Sequence, residues 1–151
     1  MKMTMLVAIH VLIGVFVPFS PATAATDLVR VKVDEANLRS GPTTTTETLR
    51  RAYENEPLQV LGRRGQWLHV NDFQGERAWI YAPLTDDRPA VVVDAAVANM
   101  RAGPGRSHEV LYTAKRATTF LVLEERGGWV RVQHADGAEG WVHEMLLWGD
   151  R

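Results

Sequence analysis

Apolar and polar residues alternate along short segments of this chain, which is the pattern of half-buried β-strands. In the segment 29–33, valines alternate with Arg30 and Lys32. Short apolar segments at 58–61 and 67–70 predict further strands, and the glycines between such segments indicate tight turns. No segment shows a convincing 3.6-residue apolar period, so the pattern does not predict helices. The elements expected are therefore the short strands of a small all-β barrel.

The whole pattern occurs twice, at a constant offset of 62 positions and without a gap. Segments 31–86 and 93–148 share 18 identities in 56 aligned pairs, and the matches include glycines, prolines and tryptophans. A constant period of this kind indicates one fold built twice. We therefore predict two tandem domains, at 28–86 and 90–148, and a size of about 60 residues makes each only marginally stable alone. The linker is so short that the two barrels are expected to lie close together.

Residues matched in both copies are expected to serve the fold. The Gly-Pro pair of each copy predicts an architectural turn, because glycine tolerates positive φ and proline fixes its own φ. The second tryptophan of each copy is expected to pack in the core or between strands. The residues assigned a structural role are Gly41, Pro42, Gly103, Pro104, Trp79 and Trp141.

The first 25 residues have the pattern of a secretory signal peptide. Lys2 precedes an apolar run at 5–17, and residues 22–24 form an Ala-x-Ala cleavage site. An uncleaved membrane anchor is the alternative, but the apolar run is at the short end for crossing ~30 Å of hydrocarbon. We expect a mature chain that starts at Ala25 or Thr26, keeps no stable membrane anchor, and is periplasmic or secreted.

Three motifs carry a family resemblance. The first copy reads Asn-Leu-Arg-Ser-Gly-Pro from 37, Gly-x-Trp-Leu-x-Val from 65 and Gly-x-x-x-Trp-Ile from 75, and the second copy matches each of them. Together they resemble the bacterial SH3-like (SH3b) domain over nearly the whole chain after the signal segment. The first copy departs mildly, with Ala78 where the family usually has glycine. The resemblance implies two tandem small SH3-like β-barrels. It also implies an exported module of the kind that often targets cell-wall peptides or accompanies cell-wall enzymes.

Two tryptophans and two arginines, one of each per copy, are candidates for binding. Trp67 and Trp129 lie on the strand face opposite their Leu/Val neighbours, and a partly exposed aromatic suits stacking against a peptide or sugar. In the family, this tryptophan resembles the one that lines the peptide groove of eukaryotic SH3 domains. The alternative is that each covers one end of its barrel. Arg39 and Arg101 are suited to clamping a carboxylate, or else each packs over a tryptophan or pairs with an acid.

The histidines are distributed unequally, with one in the first copy and three in the second. We therefore expect the second barrel to be the more specialised. The predicted ligand-binding residues are Trp129, Arg101, His108, His134, Trp67 and Arg39.

The composition argues against several other function classes. There is no cysteine for a cysteine-peptidase nucleophile or a disulfide, and only Ser40 and Ser107 remain after the signal segment. Because Ser107, His108 and Glu109 are adjacent in sequence, they cannot assemble a triad on one another. The histidines lack metal-ligand spacing, so no metal or cofactor is expected. A net charge of -1 gives no basic face for nucleic acid.

The sequence thus predicts a non-catalytic exported binding module that recognises cell-wall (peptidoglycan) peptide. The alternative is a periplasmic protein–protein adaptor, or a structural domain pair, for an envelope enzyme or receptor.

Overall fold

The computed structural model describes residues 27–151, and the signal segment predicted at 1–25 lies outside them. The fold is all-β, with two antiparallel sheets of seven strands each. The first sheet contains β1 (Leu28–Val31), β2 (Glu35–Arg39), β3 (Thr48–Tyr53), β4 (Pro57–Arg64), β5 (Trp67–Asn71), β6 (Arg77–Tyr81) and β7 (Thr85–Asp86). The second contains β8 (Ala90–Val93), β9 (Val97–Arg101), β10 (Val110–Lys115), β11 (Thr119–Arg126), β12 (Trp129–Gln133), β13 (Glu139–His143) and β14 (Leu147–Gly149).

The two sheets have the same strand order, β3-β2-β6-β5-β4-β1-β7 and β10-β9-β13-β12-β11-β8-β14. Each also has a one-turn 3-10 helix before its last strand, at Ala82–Leu84 and Glu144–Leu146. The expectation of one fold built twice, as two small all-β barrels, is confirmed. Among residues 27–151 there is no helix of the length and apolarity needed to cross a membrane.

Each barrel has its own hydrophobic core, built from the inward-facing residues of its strands. In β2, Ala36 and Leu38 are buried, whereas Asn37 between them is exposed. β9 repeats this pattern of burial at the equivalent positions. Since successive side chains of a strand point to opposite faces, the same strand that closes the core presents polar groups outside it.

The Gly-Pro turns do not use the conformational freedom on which their predicted role was based. That prediction relied on the tolerance of glycine for positive φ, but neither Gly41 nor Gly103 has a positive φ. Both are buried, and a Cβ at Gly41 would lie 2.9 Å from Thr46 Cγ2, while one at Gly103 would lie 2.5 Å from His108 Nδ1. A side chain at either glycine would therefore have to displace the Thr46 or His108 side chain of the loop that follows the turn.

β1 departs from simple alternation. Arg30, expected on the polar face, is only 6% exposed. Its guanidinium donates from Nε and Nη2 to the two carboxylate oxygens of Asp86, both at 2.8 Å, and from Nη1 to Asn55 Oδ1 at 2.8 Å. The equivalent position in the second barrel is Val92, which is 1% exposed. A buried charge is tolerated at this position because its donors are paired with a carboxylate and an amide.

The two barrels contact each other, as the short linker predicts. Thr119 Oγ1 at the start of β11 donates to the Glu54 carbonyl in the turn before β4, at 2.8 Å. The Arg116 guanidinium lies 5.7 Å from the centroid of the Phe73 ring. A side-chain hydrogen bond and a cation–π contact thus join the end of the first barrel to the second.

Candidate functional site

The second barrel has a groove of about 470 Å³, which we call the second-barrel groove. Its lining residues are Val97, Asn99, Arg101, Arg106, Trp129, His143, Met145 and Leu146. The floor comes from the outward face of β9 and from the paired ends of β12 and β13. The loop after β9 and the 3-10 helix form the walls. The groove is therefore a feature of the barrel surface, open to solvent beside an aromatic ring.

The first barrel has an equivalent groove of about 510 Å³, the first-barrel groove. Its lining residues are Asn37, Arg39, Pro42, Thr43, Thr44, Trp67, Tyr81 and Leu84. Six of the eight positions coincide with lining positions of the second-barrel groove at the offset of 62. The structure thus brings together the predicted pairs Trp67 with Arg39 and Trp129 with Arg101, one pair in each groove.

Strand pairing places an aromatic partner beside each tryptophan. Trp129 pairs with His143 across β12 and β13, and the two rings meet edge to face with their centroids 5.2 Å apart. Trp67 pairs with Tyr81 in the same way, at 5.5 Å and a tilt of 55°. Both tryptophans are half-buried. One side of each ring is fixed by its neighbour, while part of its surface stays accessible to a ligand.

The groove arginines are held by the loop carbonyls beside them. Arg101 Nη1 donates to the carbonyls of Arg106 at 3.0 Å and His108 at 2.8 Å. Arg39 Nη1 donates to the Thr46 carbonyl at 2.8 Å. Neither Arg39 nor Arg101 forms a salt bridge within residues 27–151. These arginines therefore order the loop while keeping a positive charge that no carboxylate of the described residues neutralises.

The remaining predicted residues do not line these grooves. His108 is exposed, and its ring lies against Gly103, in the position that Thr46 takes against Gly41 in the first barrel. His108 therefore reaches the second-barrel groove through its backbone carbonyl, which accepts from Arg101.

His134 lies in a different groove, of about 470 Å³, which it shares with Tyr112 and Phe120. The His134 ring meets Phe120 edge to face at 5.7 Å, and its Nδ1 lies 3.0 Å from Asp136 Oδ1. Tyr112 Oη is buried and has no hydrogen-bond partner among the described residues. Burial, together with the charges of Asp136 and Glu139, raises the Tyr112 pKa above its ordinary value.

This separate groove corresponds to the surface by which the first barrel meets the second. Arg50, Glu56 and Asp72 of that surface are equivalent to Tyr112, Thr118 and His134. In the first barrel, Arg50 Nη2 donates to the carboxylates of Glu56 and Asp72, at 2.6 Å each. The structure thus assigns Trp129 and His134 to two distinct surfaces of the second barrel.

The second tryptophan of each barrel is covered by other side chains. Trp141 is 8% exposed, and the Arg126 guanidinium lies 5.6 Å from its ring centroid. Trp79 is stacked on His69, with ring centroids 4.8 Å apart and an interplanar angle of 19°. Each ring thus packs against a neighbouring side chain, and neither belongs to the core cluster of its barrel, so the structural role of these residues stays a prediction.

Several groove residues escaped the sequence reasoning, among them Asn99, Arg106 and His143. Asn99 could have been predicted from the two-residue alternation of a strand, because it lies two residues before Arg101 and so shares its face. His143 could be found only from the pairing of β12 with β13, which sets it beside Trp129. In residues 27–151 there is no group of three or more His, Cys, Asp or Glu side chains arranged to hold a metal ion.

Curated relatives of this chain include proteins named as amidases. It is 26% identical over 140 residues to the "Putative N-acetylmuramoyl-L-alanine amidase YrvJ" of Bacillus subtilis, covering 85% of this chain and 27% of that protein. It is 28% identical over 64 residues to the "Probable cell wall amidase LytH" of Staphylococcus epidermidis, covering 42% of this chain and 22% of that protein. The chain thus spans only about a quarter of the length of these relatives.

Similar solved structures include NlpC2 from Trichomonas vaginalis, with a TM-score of 0.37 and 16% identity over 82% of this chain and 48% of that chain. A NlpC/P60 family protein from Bacillus cereus gives a TM-score of 0.36 and 16% identity over 82% of this chain and 56% of that chain.

Family models match both halves of the chain under the description "Bacterial SH3 domain". One match covers residues 34–85 and the other covers residues 94–149. Each match falls on one of the two sheets, and each contains the tryptophan and the arginine of its groove. The chain therefore belongs to the bacterial SH3 domain family and carries two such domains in tandem.

Proposed function

We propose that this chain is a non-catalytic, exported binding module that recognises the peptide part of cell-wall peptidoglycan. The observation that carries the proposal is the second-barrel groove, where half-buried Trp129 lies beside the unneutralised guanidinium of Arg101. Stacking on the ring and hydrogen bonds to the guanidinium are the two contacts by which a groove of this kind holds a short peptide. The first-barrel groove repeats the arrangement with Trp67 and Arg39.

The family and the curated relatives support the cell wall as the proposed target. Bacterial SH3 domains occur in this chain twice, and two curated relatives are named as amidases of N-acetylmuramoyl-L-alanine or of the cell wall. Because the chain spans about a quarter of those proteins, their hydrolytic activity is not carried over to it. The proposal is that the binding part of such a protein acts here without catalysis.

The proposal that the chain is non-catalytic rests on its composition. The chain has no cysteine, and Ser40 and Ser107 are the serines that remain after the predicted signal segment. Export rests on the pattern of Lys2, the apolar run and the Ala-x-Ala site. N-terminal sequencing of the protein from cells should return Ala25 or Thr26, and recovery of Met1 would contradict export by cleavage.

Co-sedimentation with purified murein sacculi tests the proposed function. The protein should pellet with sacculi in a saturable manner, and soluble muropeptides released from the same murein should compete. Cellulose, an insoluble glycan without peptide, is the matched control and should not retain the protein. Failure to pellet with murein, or equal retention on cellulose, would contradict peptide recognition.

A second candidate is a protein–protein adaptor, which the sheet edges favour. β3 and β10 are edge strands of the two sheets. They expose leucines at equivalent positions, Leu49 at 50% and Leu111 at 52%. An exposed strand edge can pair with a strand of a partner. A photo-crosslinker at position 111 in cells should trap one discrete protein if this is correct, and a crosslinker at exposed Ala135 is the control.

A further inference from the structure

The two grooves differ in charge. Arg106 lines the second-barrel groove beside Arg101, whereas the equivalent of Arg106 in the first-barrel groove is Thr44. Among residues 27–151, no aspartate or glutamate lines either groove. Within this part of the chain, the second-barrel groove therefore holds two guanidinium groups and the first-barrel groove holds one, that of Arg39.

The groups that contact Arg101 and Arg106 do not neutralise their positive charge. The hydrogen bonds of Arg101 go to neutral backbone carbonyls, at 2.8 and 3.0 Å. Neither Arg101 nor Arg106 is part of a salt bridge in the chain from Asp27 onward. The nearby carboxylate of Glu144 lies 4.0 Å from the Arg151 guanidinium, which offsets its charge. The groove is thus a cationic surface next to an aromatic ring.

We propose that the second-barrel groove selects peptides that carry a free carboxylate, and that the first-barrel groove, which holds one arginine, discriminates less between a carboxylate and an amide. This inference rests on the proposed function and specifies which peptides are bound. The guanidinium groups of Arg101 and Arg106 would bracket the carboxylate, and the ring of Trp129 would pack against the apolar atoms next to it.

His143 adds a third donor to this arrangement. Its Nδ1 accepts from the Met145 amide at 3.3 Å, so the neutral imidazole carries its proton on Nε2. The equivalent side chain in the first-barrel groove is Tyr81, whose hydroxyl donates to Gln66 Oε1 at 2.7 Å. The polar group of the first-barrel aromatic is thus already paired within the barrel.

Replacing a carboxylate by an amide removes the charge that the arginines recognise but leaves the shape almost unchanged. Charge-assisted hydrogen bonds are roughly twice as strong as neutral ones. The arginines are solvent-accessible, so screening reduces the gain. We expect the unmodified protein to prefer carboxylate over amide by about tenfold, which is about 1.4 kcal/mol.

The test compares native murein with murein whose carboxylates have been converted to amides by carbodiimide and ammonia. The unmodified protein should bind the amidated murein about tenfold more weakly. Arg106→Thr, which installs the first-barrel residue, should reduce this preference to about threefold, and Thr44→Arg should increase it. Arg88→Thr, which removes one positive charge outside both grooves, is the control and should keep the tenfold preference. Equal binding to both mureins by the unmodified protein would overturn the inference while leaving the proposed function intact.

A soluble probe separates the inference from the proposed function. Acetyl-Ala-Ala with a free carboxylate should shift the Trp129 indole N–H resonance in an NMR titration, and acetyl-Ala-Ala-amide should shift it much less. If the carboxylate probe produces this shift but murein is not bound, the carboxylate site stands and the cell-wall target is wrong. If neither probe shifts Trp129 and murein is not bound, both proposals are overturned.

Discussion

At the scale of single residues, the groove arginines serve the fold and the proposed site together. Arg101 orders the loop after β9 through the carbonyls of Arg106 and His108, and it also lines the second-barrel groove. Replacing Arg101 would therefore both loosen the loop and remove a contact to the ligand. Arg106 contributes only its backbone carbonyl to these hydrogen bonds, so its side chain can be changed with less effect on the loop. This difference makes Arg106 the better position for testing charge recognition.

Arg50 is the residue whose charge we expect to matter most for stability. It pairs with Glu56 and Asp72, whose side chains are only 9% and 2% exposed. Arg50→Met would leave two buried carboxylates without their cation. Because Arg50 itself is partly exposed, the free energy of unfolding should fall by about 2–3 kcal/mol, somewhat less than for a fully buried pair. Urea denaturation followed by tryptophan fluorescence measures this change.

The neighbouring Arg51 provides the control for this prediction. It pairs with Glu35 at 3.0 Å, but both side chains are at least half exposed. Such surface pairs contribute little, so Arg51→Met should lower the free energy of unfolding by less than about 1 kcal/mol. Similar losses from the two substitutions would mean that the network around Arg50 has no special role.

The site was predictable only as far as the strand pattern shows which side chains face outward. Trp129 was predicted from its strand face and Arg101 from its guanidinium, and the structure places both in one groove. His134 was grouped with them from the unequal distribution of histidines, but the sequence does not show which loops meet in space. The structure sets His134 against Phe120 instead. The distribution of histidines thus indicated that the second barrel differs from the first, but it did not indicate on which surface of that barrel His134 lies.

At the scale of strands and turns, the two-residue alternation of apolar and polar residues predicted the main strands. It gave no information on which loops pack closely against which turns. The alternation in β2 and β9 follows directly from the sequence, and the burial of Leu38 and Met100 confirms it. At Gly41 and Gly103, a side chain of the loop that folds back lies 2.9 Å and 2.5 Å, respectively, from where a Cβ would stand. Such a contact depends on the loop's path, so the sequence showed that the glycines recur without giving the correct reason.

Gly149 in β14 shows the same kind of contact in a stronger form. Its φ is +133°, and a Cβ there would lie 2.4 Å from the Ala90 carbonyl oxygen and 2.9 Å from Val91 Cα. Because these are backbone atoms of β8, Gly149→Ala should force β14 away from β8. We expect the free energy of unfolding to fall by about 2 kcal/mol or more, measured by urea denaturation.

Gly62 in β4 is the matched control, because its φ is not positive and, in the part of the chain that the structure describes, nothing lies within 4 Å of a Cβ built there. Gly62→Ala should change the free energy of unfolding by no more than about 0.5 kcal/mol. A loss at Gly149 no larger than the loss at Gly62 would show that β14 accommodates a side chain by a small shift.

At the scale of the whole molecule, the contacts between the barrels should restrict their relative motion. Thr119→Val removes the hydroxyl that donates to the Glu54 carbonyl, and Arg116→Ala removes the cation over Phe73. The double variant should loosen the connection at a cost of about 1–2 kcal/mol or less in stability. NMR relaxation should then give different rotational correlation times for the two barrels, and equal times in the unmodified protein.

Thr113→Val on β10 is the control, because Thr113 is an exposed threonine outside the Thr119–Glu54 and Arg116–Phe73 contacts. It should leave the two correlation times equal. Equal times in the double variant as well would mean that the linker alone fixes the arrangement of the barrels.

The central claim is that the second-barrel groove binds cell-wall peptide through Trp129. The most direct measurement is the affinity of Trp129→Ala and Trp67→Ala for purified murein, with folding of each variant checked by circular dichroism. Truncation of a binding hot spot typically costs on the order of 2 kcal/mol, so Trp129→Ala should bind about thirtyfold more weakly than the unmodified protein. Trp67→Ala, which removes the same feature from the groove with a single arginine, should lose much less. Equal losses in the two folded variants, or no loss in Trp129→Ala, would contradict the account.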